Sequence, residues 1–247
     1  MSSVRYNFGP HRPPLIKMQL PLPAELIDHI FSFLRKDPLA LKACSKAHPL
    51  CSRLAERHLY AHIVVDPGAP DVSNSILENL RLLNYPRTLQ FISHFHTPMI
   101  MISIMSVIPR MVNLVSLTMN GLLDEECLSA FRNCIQQSSF QELHLVGVHN
   151  LPLSVLDDVR NIKQLTLSHY SPTDEEISNS SPSQLSLETF VLCCNYYRPS
   201  LHRWAMRWVT HLTSLELHLS PNLKSPELLA ACSNSLTKLH LNMGYCM

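Results

Sequence analysis

One six-residue apolar pattern recurs along the chain and constrains its fold more than any other feature. The pattern is apolar, two variable, apolar, one variable, apolar, and its six clear copies are LVSLTM at 114, FQELHL at 140, IKQLTL at 162, LETFVL at 187, LTSLEL at 212 and LTKLHL at 236. Two weaker copies precede them, YAHIVV at 60 and PRTLQF at 86. A regular period of about 25 residues is typical of a solenoid, in which each repeat packs on the next.

Each copy of the pattern predicts a short β-strand that is followed by a helix. The last two apolar positions lie two residues apart, so both side chains point to the same face of a strand. Helix start signals follow several copies, such as Asp124 and the Ser225–Pro226 pair. Strand, turn and helix at this period resemble the leucine-rich repeat. The sequence therefore predicts an α/β fold in which residues 61–247 form a curved leucine-rich-repeat solenoid, with short parallel strands on the concave face and helices on the convex face. We expect about six clear repeats and one or two irregular ones at the start.

The N-terminal part of the chain has a different, helical pattern. Between residues 22 and 34 apolar residues recur at spacings of three and four, which is typical of one helix face. Asp37 followed by Pro38 predicts the cap and first residue of a second helix, and a third helix is predicted after Pro49. We therefore expect a three-helix module in residues 20–60, preceded by a disordered, proline-rich leader in residues 1–19. Either the solenoid covers the apolar helix face or another protein does.

The segment LPAELIDHIFSFLRKDPLALKACSKAHPLCSRLAERHLY resembles an F-box, in the diverged form common in mushroom-forming basidiomycete fungi. The matching features are Leu22-Pro23, Glu25-Leu26, Ile30, Leu34, Asp37-Pro38, Leu41 and Cys44-Ser45. The segment departs from the family pattern at Cys51, which stands where the family usually has a Trp. An F-box followed by leucine-rich repeats is itself a known architecture, so the chain as a whole resembles an F-box/leucine-rich-repeat protein.

The resemblance implies a substrate-recognition subunit of an SCF-type cullin–RING ubiquitin ligase. Its F-box would dock onto a Skp-type adaptor, and through it onto a cullin, while its repeats would bind an unknown protein substrate. The adaptor-binding residues expected from this are Leu22, Pro23, Leu26, Ile27, Ile30, Phe31, Leu34, Leu39 and Leu41. The expected substrate-binding residues lie between the apolar positions of the strands, on the concave face: Glu142, His144, Thr166, Ser168, Glu216, His218, Lys238, His240 and Asn242. The alternative is a scaffold outside any ligase, whose N-terminal helices only cap the solenoid.

Composition and motifs point away from enzymes and from nucleic-acid or membrane partners. The net charge is +1 with 16% charged residues, which gives no basic patch for nucleic acid or an anionic membrane. Five glycines form no phosphate-binding loop, and no C-x-x-C motif indicates a zinc site. We expect no enzymatic activity, no cofactor and no metal. Eight cysteines without a secretory signal predict reduced thiols and a cytoplasmic or nuclear location.

Three further features have competing interpretations. Trp204 and Trp208 lie four residues apart, and we interpret them as core residues, with a Trp/Arg interaction surface as the alternative. His94 and His96 are interpreted as a surface pair in preference to metal ligands. The paired carboxylates of LDDV (Asp157, Asp158) and TDEE (Asp174 to Glu176) could serve acid–base chemistry, but we expect them near the starts of helices, where a carboxylate interacts favourably with the helix dipole.

Overall fold

The computed structural model describes residues 22–66, 79–92, 106–122, 125–149, 151–157, 159, 161–170, 187–194, 204–206, 208–219 and 226–242. Within them, eight strands form one parallel sheet whose spatial order follows the chain. The strands are β1 (His62–Val65), β2 (Thr88–Phe91), β3 (Ser116–Leu122), β4 (Glu142–His149), β5 (Gln164–Ser168), β6 (Thr189–Cys194), β7 (Ser214–Leu219) and β8 (Lys238–Asn242). The helices with defined bounds are α1 (Ala24–Phe33), α2 (Pro38–Ser45), α3 (Pro49–Leu59), α4 (Glu125–Ile135), α5 (Leu153–Asp157) and α6 (Pro226–Cys232). Short 3-10 turns cover Leu34–Lys36, Leu80–Asn84, Ile108–Arg110 and Val209–His211.

Every strand begins at the third residue of one copy of the apolar pattern, including the two weaker copies. The first residues of neighbouring strands are also register partners, from His62 opposite Thr88 to Ser214 opposite Lys238. The predicted series of short parallel strands is therefore confirmed. The predicted helix start at Pro226 is confirmed as well.

The same pair of backbone hydrogen bonds joins neighbouring repeats at the start of the strands and holds their register. The carbonyl of Ala61 accepts hydrogen bonds from the backbone N–H groups of Arg87 and Thr88, at 2.8 and 3.0 Å. The carbonyls that precede β2 to β7 each accept two N–H groups from the next repeat in the same way: Arg87, Val115, Gln141, Lys163, Glu188 and Thr213. Because buried backbone groups need partners, this recurring pair of bonds makes each repeat a template for its neighbour.

The apolar residues of the strands form one continuous core on one side of the sheet. The strand residues in this core include Leu117, Leu143, Leu165, Phe190 and Leu215, and all of them are buried. Phe131 of α4 packs into the same cluster, as do Trp204 and Trp208, whose rings lie 5.8 Å apart. The core interpretation of the two tryptophans is confirmed. The opposite side of the sheet carries mostly polar side chains and is called the polar face below.

Helices α1–α3 form a small module with a separate core. Its buried residues are Ile27, Phe31, Leu41, Cys51 and Ala55. The predicted start of the second helix is confirmed, since Oδ1 of Asp37 accepts a hydrogen bond from the backbone N–H of Ala40 at 3.0 Å. Nδ1 of His48 caps α3 in the same manner, by accepting from the N–H of Leu50 at 3.1 Å.

One expectation about a carboxylate was wrong. Asp157 is the last residue of α5, so it does not interact with the positive end of that helix dipole. Its Oδ1 instead accepts a hydrogen bond from Nε1 of the buried Trp204 at 3.0 Å. The expectations for the leader, for His94 and His96, for Asp158 and the TDEE segment, and for the capping residues Asp124 and Ser225 lie outside the described residues.

Candidate functional site

The helical module presents a group of large apolar side chains to solvent. Leu22, which precedes α1, and Leu26 and Ile30 of α1 lie four residues apart and are 45%, 50% and 46% exposed. Phe33 at the end of α1 is 74% exposed, and Leu39 at the start of α2 is 77% exposed. We call these five residues the apolar helix face. The described residues include few other exposed apolar side chains of this size: Val64, Val112, Leu239 and Leu241.

The residues expected to bind an adaptor divide between this face and the interior of the module. Leu22, Leu26, Ile30 and Leu39 are exposed, as is Pro23, and Leu34 is half-buried. Ile27, Phe31 and Leu41 are buried in the module core, so we assign them to packing and no longer to a contact surface. Phe33, which the expected set omits, belongs to the exposed group. Its position three residues after Ile30 was the available signal.

A buried histidine of α3 links this helix to α1 and to the 3-10 turn that follows α1. Nε2 of His58 lies 2.8 Å from Oδ1 of Asp28, and Nε of Arg35 donates to Nδ1 of His58 at 3.2 Å. Because Nδ1 accepts, the imidazole proton is on Nε2 and is donated to Asp28. Arg57 lies 3.6 Å from the second oxygen of the same carboxylate. These residues are far apart in the sequence, and no motif indicated the cluster.

The expected substrate-binding residues all belong to the polar face, but they form two groups. Four lie on β4 and β5: Glu142, His144, Thr166 and Ser168. Five lie on β7 and β8: Glu216, His218, Lys238, His240 and Asn242. Strand β6 separates the groups and contributes Val191 at the corresponding position. Since neighbouring strands are about 4.8 Å apart, β5 and β7 are separated by about 10 Å.

In the first group, His144 is held as a neutral hydrogen-bonding side chain. Its Nδ1 lies 2.9 Å from Oγ1 of Thr166 on the neighbouring strand. Burial lowers the pKa of His144, and the carboxylate of Glu142 offsets this effect only in part. At neutral pH this part of the polar face therefore offers hydrogen bonds more than positive charge.

In the second group, Glu216 is the centre of a hydrogen-bonded triad. Its Oε1 lies 2.7 Å from Nε2 of His218 and 3.2 Å from Nδ1 of His240. The hydrogen bond from His218 lowers the pKa of Glu216, and the charge interactions with both histidines act in the same direction. Nε2 of His218 and Nδ1 of His240 both contact the same oxygen, Oε1 of Glu216, and this arrangement suits two hydrogen bonds. The described part of the chain contains no group of three or more His, Cys, Asp or Glu side chains arranged to hold a metal ion.

No protein-family model matches the chain, and no curated protein matches it significantly. The resemblance to F-box/leucine-rich-repeat proteins therefore stays a prediction from the sequence. Among the helices of the described ranges, none is long and apolar enough to cross a membrane.

Proposed function

We propose that this protein is the substrate-recognition subunit of an SCF-type ubiquitin ligase in the cytoplasm or nucleus. Residues 20–60 act as an F-box that docks onto a Skp-type adaptor and through it a cullin, and residues 61–247 act as a curved leucine-rich-repeat solenoid. The polar face binds the protein substrate, and the subunit promotes ubiquitin transfer by positioning, without chemistry of its own. The observation that carries the proposal is the apolar helix face.

The side chains of the apolar helix face are exposed and do not belong to the module core. The module fills its own core with a different set of residues, among them Ile27 and Phe31. Moving one large aliphatic or aromatic side chain out of water is worth about 1.5–3 kcal/mol, so several of them side by side favour burial against a partner. An extended apolar surface on a small helical module fits a permanent or tightly bound protein partner.

The alternative scaffold, whose N-terminal helices only cap the solenoid, receives less support. A cap buries its apolar side against the neighbouring repeat. Here the buried apolar residues of the module and those of the sheet form two separate clusters. A polar contact joins the two parts, an ion pair at 3.1 Å between Arg81 and Glu56. The arrangement therefore favours a docking module over a cap.

Binding of the purified full chain to a Skp-type adaptor tests the proposal. We expect Leu26→Asp and Ile30→Asp to weaken binding by about thirtyfold or more each, because a central apolar contact is commonly worth about 2 kcal/mol. Val112→Asp is the matched control, since Val112 is an aliphatic side chain that is 59% exposed and lies outside the module. Isothermal titration calorimetry gives the affinities, and circular dichroism verifies folding.

Two results would contradict adaptor docking. One is a well-folded wild-type chain that does not bind the adaptor. The other is unchanged binding by both aspartate variants, or an equal loss in the Val112→Asp control.

A further inference from the structure

A cavity of about 530 Å³, lined mostly by polar residues, lies between the helical module and the first strands of the sheet. Arg35, Arg57 and His58 line it from the module side. Arg87, Thr88 and Glu142 line it from the turns and strand starts of the sheet. This volume lies within the usual range of pockets that hold small ligands or side chains.

Three guanidinium groups line this cavity and are incompletely paired. Nε of Arg35 donates a hydrogen bond to His58, which in turn is hydrogen-bonded to Asp28. These contacts hold the Arg35 side chain in place. Its two terminal nitrogens have no partner among the described residues. Arg57 has only a long contact of 3.6 Å with Asp28. Among the described residues, no carboxylate lies within ion-pair distance of Arg87. A positioned set of guanidinium donors at a cavity wall is the arrangement that binds oxyanions.

The carboxylates at the cavity do not cancel this positive charge. Asp28 accepts a hydrogen bond from His58 and lies 3.6 Å from Arg57, so it is already engaged on the module side. Glu142 begins β4, two strands away from Thr88, which corresponds to about 10 Å at the usual strand spacing. The lining holds three arginines against the two carboxylates of Asp28 and Glu142, so it keeps a net positive charge.

We propose that this cavity binds an oxyanion, a carboxylate or a phosphate group, with Arg35, Arg57 and Arg87 as its donors. The oxyanion is either that of a free small molecule or that of an acidic or phosphorylated side chain of a bound peptide. The site does not depend on adaptor docking, since the apolar helix face takes no part in it. Binding at the cavity and binding of the adaptor can therefore fail independently.

The test uses the full-length chain and four probes at constant ionic strength. Two probes are free anions, inorganic phosphate and glutarate, and two are capped tripeptides, Gly-phosphoserine-Gly and Gly-Glu-Gly. Binding is followed by titration calorimetry and by NMR shifts. The variants are Arg87→Gln and the matched control Arg53→Gln, because Arg53 is an exposed arginine of α3 that does not line the cavity.

We expect saturable one-to-one binding of at least one probe to the wild-type chain. Losing a charge-assisted hydrogen bond weakens binding by about tenfold or more, so we expect that loss for Arg87→Gln. Removing a charge outside the site, where solvent ions screen it, should change the affinity by about twofold at most, and we expect this small effect for Arg53→Gln. The probe that binds best identifies the oxyanion and its carrier. Absence of saturable binding by all four probes, or equal weakening by the two variants, overturns the proposal.

Discussion

Glu216 illustrates how the polar face fixes the charge state of one side chain. His218 of the same strand and His240 of the neighbouring strand both contact its Oε1, and the closer contact, with His218, is the largest cause of its lowered pKa. A carboxyl group whose folded-state pKa is depressed stabilises the fold at pH values above its unfolded pKa. That contribution is lost as the pH falls through the lower, folded-state pKa.

We expect the NMR titration midpoint of the Glu216 carboxyl carbon to lie below 4.5, its ordinary value. Replacing His218 with Ala removes the hydrogen bond and should raise the midpoint towards that value. Replacing His240 with Ala should raise it less, since His240 is farther away, at 3.2 Å. A midpoint that His218→Ala leaves unchanged would contradict the triad.

Cys134 illustrates the opposite effect, a group that burial keeps uncharged. It lies in the core of the sheet, and burial raises the pKa of its thiol to about 12. The thiolate is the reactive form, so native Cys134 should resist alkylation at pH 8. Cys44 in the module is half-buried and should react faster.

Peptide mapping after iodoacetamide treatment measures both rates in one sample. In 6 M guanidinium chloride the two cysteines should react alike, which is the control for intrinsic reactivity. Native labelling of Cys134 at the rate of Cys44 would show that the thiol is not held in the core.

At the scale of elements, the positions of the strands were predictable from the sequence. Which apolar residues of a helix are buried and which are exposed was not. The strand positions follow from a repeated apolar spacing that fits only one register, so even the weak copies at 60 and 86 mark real strands. Leu26 and Ile27 are adjacent, equally apolar, and part of one broad stripe. Only the packing of α1 on α3 decides that Ile27 is buried and Leu26 is exposed. The proposed oxyanion cavity was not predictable from the sequence for the same reason, because its arginines lie on elements that only the tertiary fold brings together.

The cap of α2 is a local element that can be tested alone. Asp37→Ala removes the acceptor for the N–H of Ala40, and loss of such a cap usually costs about 1 kcal/mol of stability. Asp37→Asn keeps an acceptor oxygen and should be nearly neutral. Urea unfolding of the module, followed by the helical circular dichroism signal, gives both values. Equal losses for the two variants would assign the effect to charge instead of capping.

At the scale of the whole molecule, the two cores predict two unfolding events. The module core and the sheet core have no residue in common, and polar contacts such as Arg81–Glu56 connect them. Both tryptophans of the chain lie in the sheet core. Tryptophan emission therefore reports on the sheet, while the helical circular dichroism signal includes the module.

Two matched phenylalanine substitutions separate these events. Phe31→Ala creates a cavity in the module core and Phe131→Ala creates one in the sheet core, and each should cost about 3–5 kcal/mol. Because the cores are separate, Phe31→Ala should lower the urea midpoint of the helical signal and leave the tryptophan midpoint in place. Phe131→Ala should lower the tryptophan midpoint. If Phe31→Ala moves both midpoints together, the module and the sheet unfold as one unit, and the N-terminal helices act as a cap of the repeats.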